Sequence, residues 1–504
     1  MNVLTNQQMR KADEYTIKAL GVPSLVLMER AGRALAELAK KIAPTGKIVC
    51  VCGGGNNGGD GFVCARLLKE YGREVAVLLC AEKFTNDCEA NRVEWLKLGG
   101  EIAVNIEEIE VKNLSLIIDC LFGTGFHGKA EGEYARTIVW MNNMKKQGAK
   151  ILSADIPSGL NGDNGLAEGV AVCADETLCI GEIKMGCLLA DGIDYAGTLK
   201  RADIGIQLLD GENYAMVIDE KRAKELLPKR KRNSHKGSYG KAAIVAGSMD
   251  YTGAAYLSAA ACLRAGAGYT ALFVPQGILP YYVLKLPEIL LRPICEGDCF
   301  CFTEENMQNL LSYDSIAYGM GMGNTIEVAK GARYLLENYG GKLILDADGL
   351  NSLATYEKEN LQTIFKNKKC DVLLTPHVKE FSRLSGESVK NIIQNGVFAP
   401  CDFAKKYQTN VLLKNAVSVL TDGERINLNT AGTAGQAKAG SGDVLSGAIA
   451  GLCAGGLSLY DGTQLAAYIV GVAAQLAEED FGVYSMQPSD VITYMGRVFL
   501  KISS

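Results

Sequence analysis

Short apolar runs alternate with longer segments of helical periodicity, and this succession occurs twice along the chain. In the first half KIVCVC precedes FVCARLLKEYG, EVAVLLC precedes ANRVEWLKL, and LSLIIDC precedes a helical segment that ends near Lys146. Buried strands separated by helices are typical of βαβ units in a parallel sheet. The predicted fold class is therefore α/β, with helices on both faces of each sheet.

A second succession starts afresh at KAAIVAGS and continues through YTALFVP, DSIAYG, KLILD and CDVLL to NVLLKNAVSVL. A chain of 504 residues is too long for one ordinary core, at about 150 residues per domain. The charged stretch DEKRAKELLPKRKRNSHKGSYG between the two successions reads as a linker. We expect two three-layer domains over residues 1–212 and 226–504, joined by a linker over 213–225. The small-residue helices AAYLSAAACLRAG and DVLSGAIAGLCAGG should pack tightly on the second sheet.

Composition excludes several classes of protein. A net charge of −5 predicts no general affinity for polyanions, so the basic run at 229–232 is interpreted as a solvated linker, with nucleic-acid binding as the alternative. Apolar runs are too short to span a bilayer, and the first residues contain no apolar signal region. Most of the sixteen cysteines lie in apolar runs, no CxxC pair occurs, and there are three histidines. We expect buried thiols, no structural zinc site and a reducing, cytoplasmic location.

The glycine-rich loop GGGNNGGDG at residues 53–61 follows a buried strand and precedes a helix. Open α/β sheets bind their ligands at this position. Two more loops, DCLFGTGFHGK at 119–129 and DIPSG at 155–159, also follow strands, and the carboxyl ends of parallel strands share one edge. The three loops should converge on one site, although a glycine-rich turn that binds nothing is the alternative for the first.

Asn57, Asp119 and Ser158 would then offer oxygen ligands of low total charge. This set suits a hard cation, monovalent or hydrated, better than zinc, and a capped turn without metal is the alternative. Asp155 at a strand end is a candidate acid or base; otherwise it forms the turn and caps Ser158.

The stretch GQAKAGSGDVLSG at residues 435–447 has the form of a phosphate cradle at a helix N-terminus. It also contains Asp443, whose charge would repel a phosphate. Phosphoryl transfer requires both a positive cradle for the donor and a base near the acceptor hydroxyl. We expect Gly440 to Gly442 to face the phosphate and Asp443 to face the acceptor. The alternative is that Asp443 only caps the helix.

Residues 1 to about 210 resemble the NAD(P)H-hydrate epimerase family. The segments LVLMERAGRALA, GGGNNGGDG, DCLFGTG and DIPSG carry the resemblance, in the family's order. It implies a Rossmann-like domain that interconverts the R and S hydrates of reduced nicotinamide cofactors, with K⁺ at Asn57, Asp119 and Ser158. Asp155 would lie beside the nicotinamide ring. Lys184, in GEIKMG, matches a family lysine, with a solvated loop charge as the alternative.

The same resemblance implies that two loops hold the substrate together with Asp155. The residues are Asn56, Asn57, Gly58, Gly59, Asp60, Gly123, Thr124, Gly125, Phe126, His127, Gly128 and Lys129.

Residues 220 to 500 resemble the nucleotide-dependent NAD(P)H-hydrate dehydratase family, which is ribokinase-like. The segments HKGSYGKAAIVAGS, LDADGLN, TPHVKEF and AGSGDVLSGAIAGL carry this resemblance. It implies phosphorylation of the S hydrate's ring hydroxyl by ADP or ATP with Mg²⁺, followed by loss of phosphate. Asp443 would be the base, with Ala254, Gly321 and His377 on the hydrate side; His377 could instead only start a helix. Asp346 and Asp348 could orient Mg²⁺ through water, or be caps.

The resemblance also implies a set of residues around the adenylate part of the nucleotide. They are Lys414, Asn415, Ala416, Val417, Ser418, Thr433, Ala434, Gly435, Gln436, Ala437, Lys438, Ala439, Gly440, Ser441 and Gly442. The chain departs from the family here: LKNAVSV replaces a glycine-rich segment, the TPH segment lacks its usual following proline, and Ala439 replaces glycine or threonine. These departures leave the choice between ADP and ATP open.

Two other functions stay open at this point. One is a small-alcohol kinase of the vitamin-precursor type, and the other gives the N-terminal domain a non-catalytic nucleotide- or RNA-binding role. For the preferred reading we expect the NADH and NADPH hydrates and ADP or ATP as small-molecule partners. We expect no nucleic-acid or membrane partner, and a homo-oligomer.

Overall fold

The computed structural model describes residues 1–503 and divides into two compact units. The first unit spans Asn2–Tyr214, and the second contains Met1 and the chain from Ala215 onward. Among the helices of residues 1–503, none combines the length and the apolar character needed to cross a membrane.

The first unit contains a parallel sheet and a separate pair of short strands. Its strands are β1 (Asn2–Leu4), β2 (Lys47–Cys52), β3 (Val75–Leu79), β4 (Ile102–Ala103), β5 (Leu114–Cys120), β6 (Lys150–Ala154), β7 (Glu176–Ile180), β8 (Ile183–Lys184) and β9 (Thr198–Ala202). Its helices are α1 (Asn6–Glu14), α2 (Ser24–Ile42), α3 (Asn56–Glu70), α4 (Asn86–Lys97), α5 (Gly132–Lys146) and α6 (Gly192–Tyr195).

The sheet of the first unit has the order β4-β3-β2-β5-β6-β7-β9, and β1 pairs with β8. All pairs in this sheet are parallel. Helices α2 and α3 cover one face, where Leu35 and Phe62 are buried, and α5 covers the other, where Ile138 and Met141 are buried. The strand order reverses between β2 and β5, which creates a crevice at their carboxyl ends.

The second unit is built around one long mixed sheet. Its strands are β10 (Ala215–Val217), β11 (Lys241–Val245), β12 (Tyr269–Val274), β13 (Leu290–Pro293), β14 (Ser315–Tyr318), β15 (Lys342–Leu345), β16 (Asp371–Leu374), β17 (Asn410–Leu413), β18 (Ser418–Thr421) and β19 (Ile426–Asn429). Its helices are α7 (Glu220–Leu226), α8 (Thr252–Arg264), α9 (Pro280–Val283), α10 (Glu304–Gln308), α11 (Ile326–Asn338), α12 (Ala347–Tyr356), α13 (Leu361–Asn367), α14 (Val378–Ser385), α15 (Val389–Asn395), α16 (Phe398–Tyr407), α17 (Ser441–Ala454), α18 (Leu459–Ser485) and α19 (Pro488–Ser503).

The strands of the second unit have the order β13-β12-β11-β14-β15-β16-β17-β18-β19-β10. Only the pairs β17–β18 and β18–β19 are antiparallel. Helices α8, α17, α18 and α19 contribute to one large core. Small residues let α17 approach α8 closely: a Cβ on Gly447 would lie 2.0 Å from the Ser258 carbonyl oxygen. The predicted α/β fold class and the tight packing of small-residue helices are confirmed.

The segment expected as a linker, residues 213–225, differs from the expectation because it contains β10 and α7. Val217 and Ala223 are buried in it, and β10 pairs with β19. Burial of these apolar side chains favours regular structure over a solvated connection. The basic run that follows is exposed, with Arg230 stacked over Tyr239 at 4.1 Å.

Candidate functional site

The first glycine-rich loop lies at the crevice between β2 and β5, where it leads into the N-terminus of α3. Its backbone passes close to the neighbouring loop, since a Cβ on Gly53 would lie 2.1 Å from the Leu121 carbonyl oxygen. The loop borders a cavity of about 1530 Å³ that both other predicted loops also reach, through Phe122 and Asp155. The convergence of the three loops expected from a parallel sheet is therefore present.

Asn57, Asp119 and Ser158 come together beside this cavity: Asn57 borders it, whereas Asp119 and Ser158 are fully buried. The Ser158 hydroxyl donates to Asp119 Oδ1 at 2.6 Å and its backbone N–H donates to Oδ2 at 2.9 Å. The Ser153 hydroxyl also donates to Oδ2, at 2.8 Å. The Asn57 amide donates to the Phe122 carbonyl oxygen at 2.7 Å and so fixes its own orientation. Burial raises the pKa of Asp119, although the hydrogen bonds from Ser158 and Ser153 oppose the shift.

One atom of this group has no partner within residues 1–503. Asn57 is 9 % exposed, and its Oδ1 is buried and accepts no hydrogen bond. A buried acceptor left unpaired costs about 1–3 kcal/mol, and a bound donor or cation would remove this cost. An oxygen-only set with one free acceptor fits a weakly charged hard cation such as K⁺.

Asp155 follows β6 directly and adopts a left-handed backbone, with φ 70°. Its Oδ1 accepts a hydrogen bond from the Ile180 backbone N–H at 3.0 Å and forms an ion pair with Lys184. Lys184 is 1 % exposed, so the alternative of a solvated loop charge is wrong. Burial lowers the pKa of Lys184, but the charge of Asp155, its hydrogen bond and the nearby thiols of Cys179 and Cys187 together outweigh burial, so the net shift is upward. Asp155 does not bond to Ser158 as a cap would; Asp119 takes that role.

Two more carboxylates border the cavity: Asp13 on α1, which sequence reasoning missed, and Asp60, which was predicted as part of the substrate loop. Burial raises the pKa of Asp13 to about 6, with Lys184 opposing the shift and Asp155 adding to it. Burial raises the pKa of Asp60 well above its ordinary value. Asp13 stands in MRKADEY, a helical stretch without any recognisable site motif, so nothing in the sequence marked it.

The predicted substrate loops are divided between the cavity wall and the surrounding protein. The cavity is lined by Asn56, Asn57, Asp60, Gly123, Thr124, Gly125, Phe126 and His127. Gly58 and Gly59 instead lie inside α3 as packing positions: a Cβ on Gly58 would lie 1.9 Å from the Gly53 carbonyl oxygen. Gly128 and Lys129 are not on the wall, and the Lys129 side chain packs against Gly169.

The second candidate site lies at the N-terminus of α17. The cap position is Gly440, with φ 99°, and Asp443 is the third helical residue. Asp443 is therefore not the helix cap, and its carboxylate makes no hydrogen bond within the described residues. Burial raises the pKa of Asp443 to about 7; Asp346 and Asp348 add to the shift, and Lys414 opposes it. A carboxylate with these properties can accept a proton near neutral pH.

Asp346 organises the residues beneath this helix end. It is 1 % exposed, and it accepts hydrogen bonds from Lys414 Nζ at 2.7 Å and from the Ser446 hydroxyl at 2.7 Å. It also caps α12 by accepting from the Ala347 N–H, where Ala347 has φ 46°. Burial lowers the pKa of Lys414, but the charge and hydrogen bond of Asp346, together with the charges of Glu380 and Asp443, outweigh burial, so the net shift is upward. The cap that we considered for Asp346 is present, together with the contacts to Lys414 and Ser446.

Of the residues predicted on the hydrate side, Gly321 follows β14, His377 follows β16 and Ala254 lies in the first turn of α8. Gly321 has φ 64°, and a Cβ there would lie 2.8 Å from Cβ of Ala254. Asp348 accepts from the Gly323 N–H at 2.8 Å. His377 caps α14, because its Nδ1 accepts from the backbone N–H groups of the first turn at 3.1 and 3.2 Å. The helix-start role considered for His377 is thus present.

The residues predicted on the nucleotide side form two turns and the connection into α17. Residues 414–417 form the turn between β17 and β18, and Asn415 Oδ1 accepts from the Ala416 N–H at 3.0 Å. Thr433 caps a short 3₁₀ turn at Ala434–Gln436. Lys438 donates to the carbonyl oxygens of Tyr484 and Met486, both at 2.7 Å. Asn415, which departs from the family's glycine-rich segment, closes its turn with its own side chain.

No group of three or more His, Cys, Asp or Glu side chains within residues 1–503 is arranged to hold a metal ion. Asp348 and Asp443 are the carboxylates near α17 that are not ion-paired to Lys414.

Comparison with known proteins covers both units. The family model of the YjeF-related protein N-terminus matches residues 24–186, and the model of NAD(P)H-hydrate dehydratase matches residues 242–497. The solved structure of an ADP/ATP-dependent NAD(P)H-hydrate dehydratase from Bacillus subtilis, co-crystallised with ATP and Mg²⁺, is 28 % identical. It matches with a TM-score of 0.50 over 57 % of this chain and 99 % of its own.

Two curated relatives match along almost the whole chain. The bifunctional NAD(P)H-hydrate repair enzyme of Thermofilum pendens is 34 % identical over 98 % of this chain and 95 % of its own length. The enzyme of the same name from Moorella thermoacetica is 32 % identical over 100 % of this chain and 97 % of its own. The order of the two matched family models is the order of the two units described above. The chain belongs to the bifunctional NAD(P)H-hydrate repair enzyme family.

Proposed function

We propose that this chain repairs hydrated NADH and NADPH with two active sites. The first unit interconverts the R and S hydrates, and the second dehydrates the S hydrate with ADP or ATP. The domains that carry these reactions span residues 1–212 and 226–504. The division is chemically useful because a dehydratase selective for one isomer leaves the other isomer unrepaired.

The first reaction is supported by the cavity at the β2–β5 crevice. The ion pair between Asp155 and Lys184 provides a proton-transferring group at the cavity wall. Residues 56, 57, 60 and 123–127 border the space in which a hydrate would lie. Asn57, Asp119 and Ser158 would hold K⁺, which would fix the loops around the substrate and supply a positive charge.

The second reaction is carried by one observation: Asp443 stands at a helix N-terminus without capping it. The backbone N–H groups of residues 440–442 and the helix dipole suit the phosphates of the donor. Asp443 would take the proton of the ring hydroxyl while that oxygen attacks the terminal phosphorus and AMP or ADP leaves. Mg²⁺, when bound with the nucleotide, would neutralise phosphate charge.

Phosphorylation makes the following step easier because phosphate is a better leaving group than hydroxide. As the phosphate leaves, the C–O bond breaks and the ring nitrogen contributes its electron pair. Loss of a proton from the adjacent carbon then restores the ring double bond. Ala254, Gly321 and His377 would border the hydrate, and residues 414–418 and 433–442 would surround the adenylate part.

The test supplies the purified protein with the mixed hydrates and either ADP or ATP, while the dihydronicotinamide absorbance is followed. Full recovery indicates both reactions, and recovery of only the S fraction indicates the second alone. Asp443→Asn should lower dehydration of the S hydrate by about 10²- to 10⁴-fold while nucleotide binding is retained. Asp155→Asn should impair only the R hydrate. A stable phosphorylated product without recovered absorbance would instead indicate a small-alcohol kinase.

A further inference from the structure

Helix α1 forms one wall of the first cavity. Met9, Asp13 and Ile17 are spaced four residues apart, so they share one face of the helical segment, and all three border the cavity. Arg10 also borders it, and its guanidinium donates to the Thr124 carbonyl oxygen at 3.3 Å. The helix thus contacts the loop that we propose holds the substrate, and it brings a carboxylate to that site.

Asp13 has the features of a reactive group and lacks those of a structural one. It is half-buried, and its carboxylate forms no hydrogen bond or ion pair within residues 1–503. Asp155, Lys184 and Asp60 are the charged or titratable side chains that face it from other elements, and Arg10 borders the cavity from its own helix. An unpaired carboxylate that borders a large cavity is available to a bound molecule.

Asp13 and its neighbour Asp60 differ in pKa. Burial and the charge of Asp155 raise the pKa of Asp60 well above its ordinary value, with Lys184 opposing the shift. The pKa of Asp13 is raised to about 6, mainly by burial. Asp13 can therefore both release and accept a proton near neutral pH, as an acid–base catalyst must.

Inversion of the hydroxyl-bearing carbon requires two proton transfers. An acid protonates the hydroxyl, the C–O bond breaks and water leaves, while the ring nitrogen's electron pair forms a C=N bond. Water then attacks the other face of this carbon and forms a new C–O bond. Its proton passes to a base, the electron pair returns to nitrogen, and no atom is oxidised or reduced. Asp155 can supply the acid or the base of one step, and a second group is needed for the other proton transfer.

We propose that Asp13 is the second acid–base catalyst of the first site, exchanging a proton with the departing or entering water while Asp155 serves the other. This inference rests on the proposed isomerase function of the first unit. Asp13 comes from α1 and Asp155 from the end of β6, so the two groups reach the reacting carbon from different elements.

The test compares Asp13→Asn with Glu14→Gln, the adjacent acid, whose side chain is 67 % exposed and pairs only with Lys18 at 3.5 Å. Each variant receives either the R hydrate or the S hydrate, with ATP. Recovery from the R hydrate requires both reactions, whereas recovery from the S hydrate requires only the second. Asp13→Asn should slow enzymatic conversion of the R hydrate by about 100-fold or more, with S-hydrate recovery unchanged. Glu14→Gln should behave like the wild type with both.

The outcomes separate this inference from the proposed function. If the wild-type protein does not convert the R hydrate, the proposed function fails and the inference with it. If the wild type converts it and Asp13→Asn does so equally fast, only the role of Asp13 is wrong. Asp13→Ala supplied with formate distinguishes a chemical role from a structural one, because formate can replace the missing carboxylate. Recovery of R-hydrate conversion in the presence of formate supports the proposal. Loss without rescue, accompanied by a lower thermal midpoint, would assign Asp13 a structural role and overturn it.

Discussion

The ammonium of Lys414 donates a 2.7 Å hydrogen bond to the carboxylate of Asp346, directly beneath the N-terminus of α17. Asp346 also binds the hydroxyl of Ser446, which lies one turn along that helix. A Cβ placed on Gly442 would lie 3.3 Å from Lys414 Nζ, so the ammonium adjoins the backbone of the turn. One ion pair therefore both anchors the helix and brings positive charge to the proposed phosphate site.

Removing the lysine from this pair should destabilise the second unit. Lys414→Met leaves the carboxylate of Asp346, 1 % exposed, without its counter-ion. Breaking a buried pair in this way costs about 3–5 kcal/mol. The free energy of unfolding from urea denaturation should fall by this amount, whereas Lys390→Met, on the exposed surface of α15, should leave it unchanged. Equal stability of the two variants would contradict the assignment.

Dehydration of the S hydrate should depend on pH through Asp443. The proposed base acts as a carboxylate, and its pKa is raised to about 7 by burial, by Asp346 and by Asp348, with Lys414 opposing. The rate constant at saturating ATP should therefore fall about tenfold per pH unit below 7 and level off above it. Lys414→Met removes the opposing charge, so this limb should move to higher pH. A rate that does not change between pH 5 and 8 would exclude Asp443 as the base.

Potassium should stabilise the first unit through Asn57. A cation at 100 times its dissociation constant stabilises the folded state by about 2.7 kcal/mol. Replacing K⁺ by tetramethylammonium should therefore lower the thermal midpoint of the first unit. Asn57→Leu should remove this difference, because it removes the unpaired Oδ1. Asn143→Leu, at an exposed position of α5, should retain it; a wild-type midpoint independent of K⁺ would refute the site.

The role of Gly58 in packing can be tested against a glycine three residues before it. Gly58→Ala places a Cβ 1.9 Å from the Gly53 carbonyl oxygen, so the loop or the helix must shift. Overpacking of this kind costs about 1–3 kcal/mol. Gly55→Ala has no neighbouring atom within 4 Å and should be tolerated. Comparable unfolding midpoints for the two variants would show that the contact relaxes without cost.

Much of the first site could be predicted because the loops at the carboxyl ends of parallel strands all lie at one edge of the sheet. Asp119 lies at the carboxyl end of β5, and Asn57 and Ser158 follow β2 and β6, so the sheet brings all three to one edge whatever the details of packing. Asp13 could not be found in this way, because its position depends on how α1 packs over the cavity. The burial of Lys184 depends likewise on contacts between distant segments and not on local pattern.

The second unit shows the same division between local pattern and long-range contact. The GSGD turn before a small-residue helix indicated where Asp443 would lie. The pairing of Lys414 with Asp346 joins residues 68 positions apart, and no local pattern specifies it. The segment predicted as a linker contains β10 and α7, because its few apolar residues, Val217 and Ala223 among them, are enough to anchor both elements.

Asp155 and Ala347 both hold left-handed backbone conformations, at φ 70° and 46°, just after strands that lead to the two sites. Such a conformation costs a residue with a Cβ about 1–3 kcal/mol, which glycine would relieve. At position 347 the exchange would keep the neighbouring Asp346, but at position 155 it would delete a carboxylate together with the strain. Deleting the Asp155 carboxylate would also leave the buried ammonium of Lys184 unpaired, at about 3–5 kcal/mol, which exceeds the strain relieved. A laboratory selection for heat tolerance that ignored turnover would therefore accept Ala347→Gly and reject Asp155→Gly, so the acid proposed for isomer exchange is retained for stability as well as for chemistry.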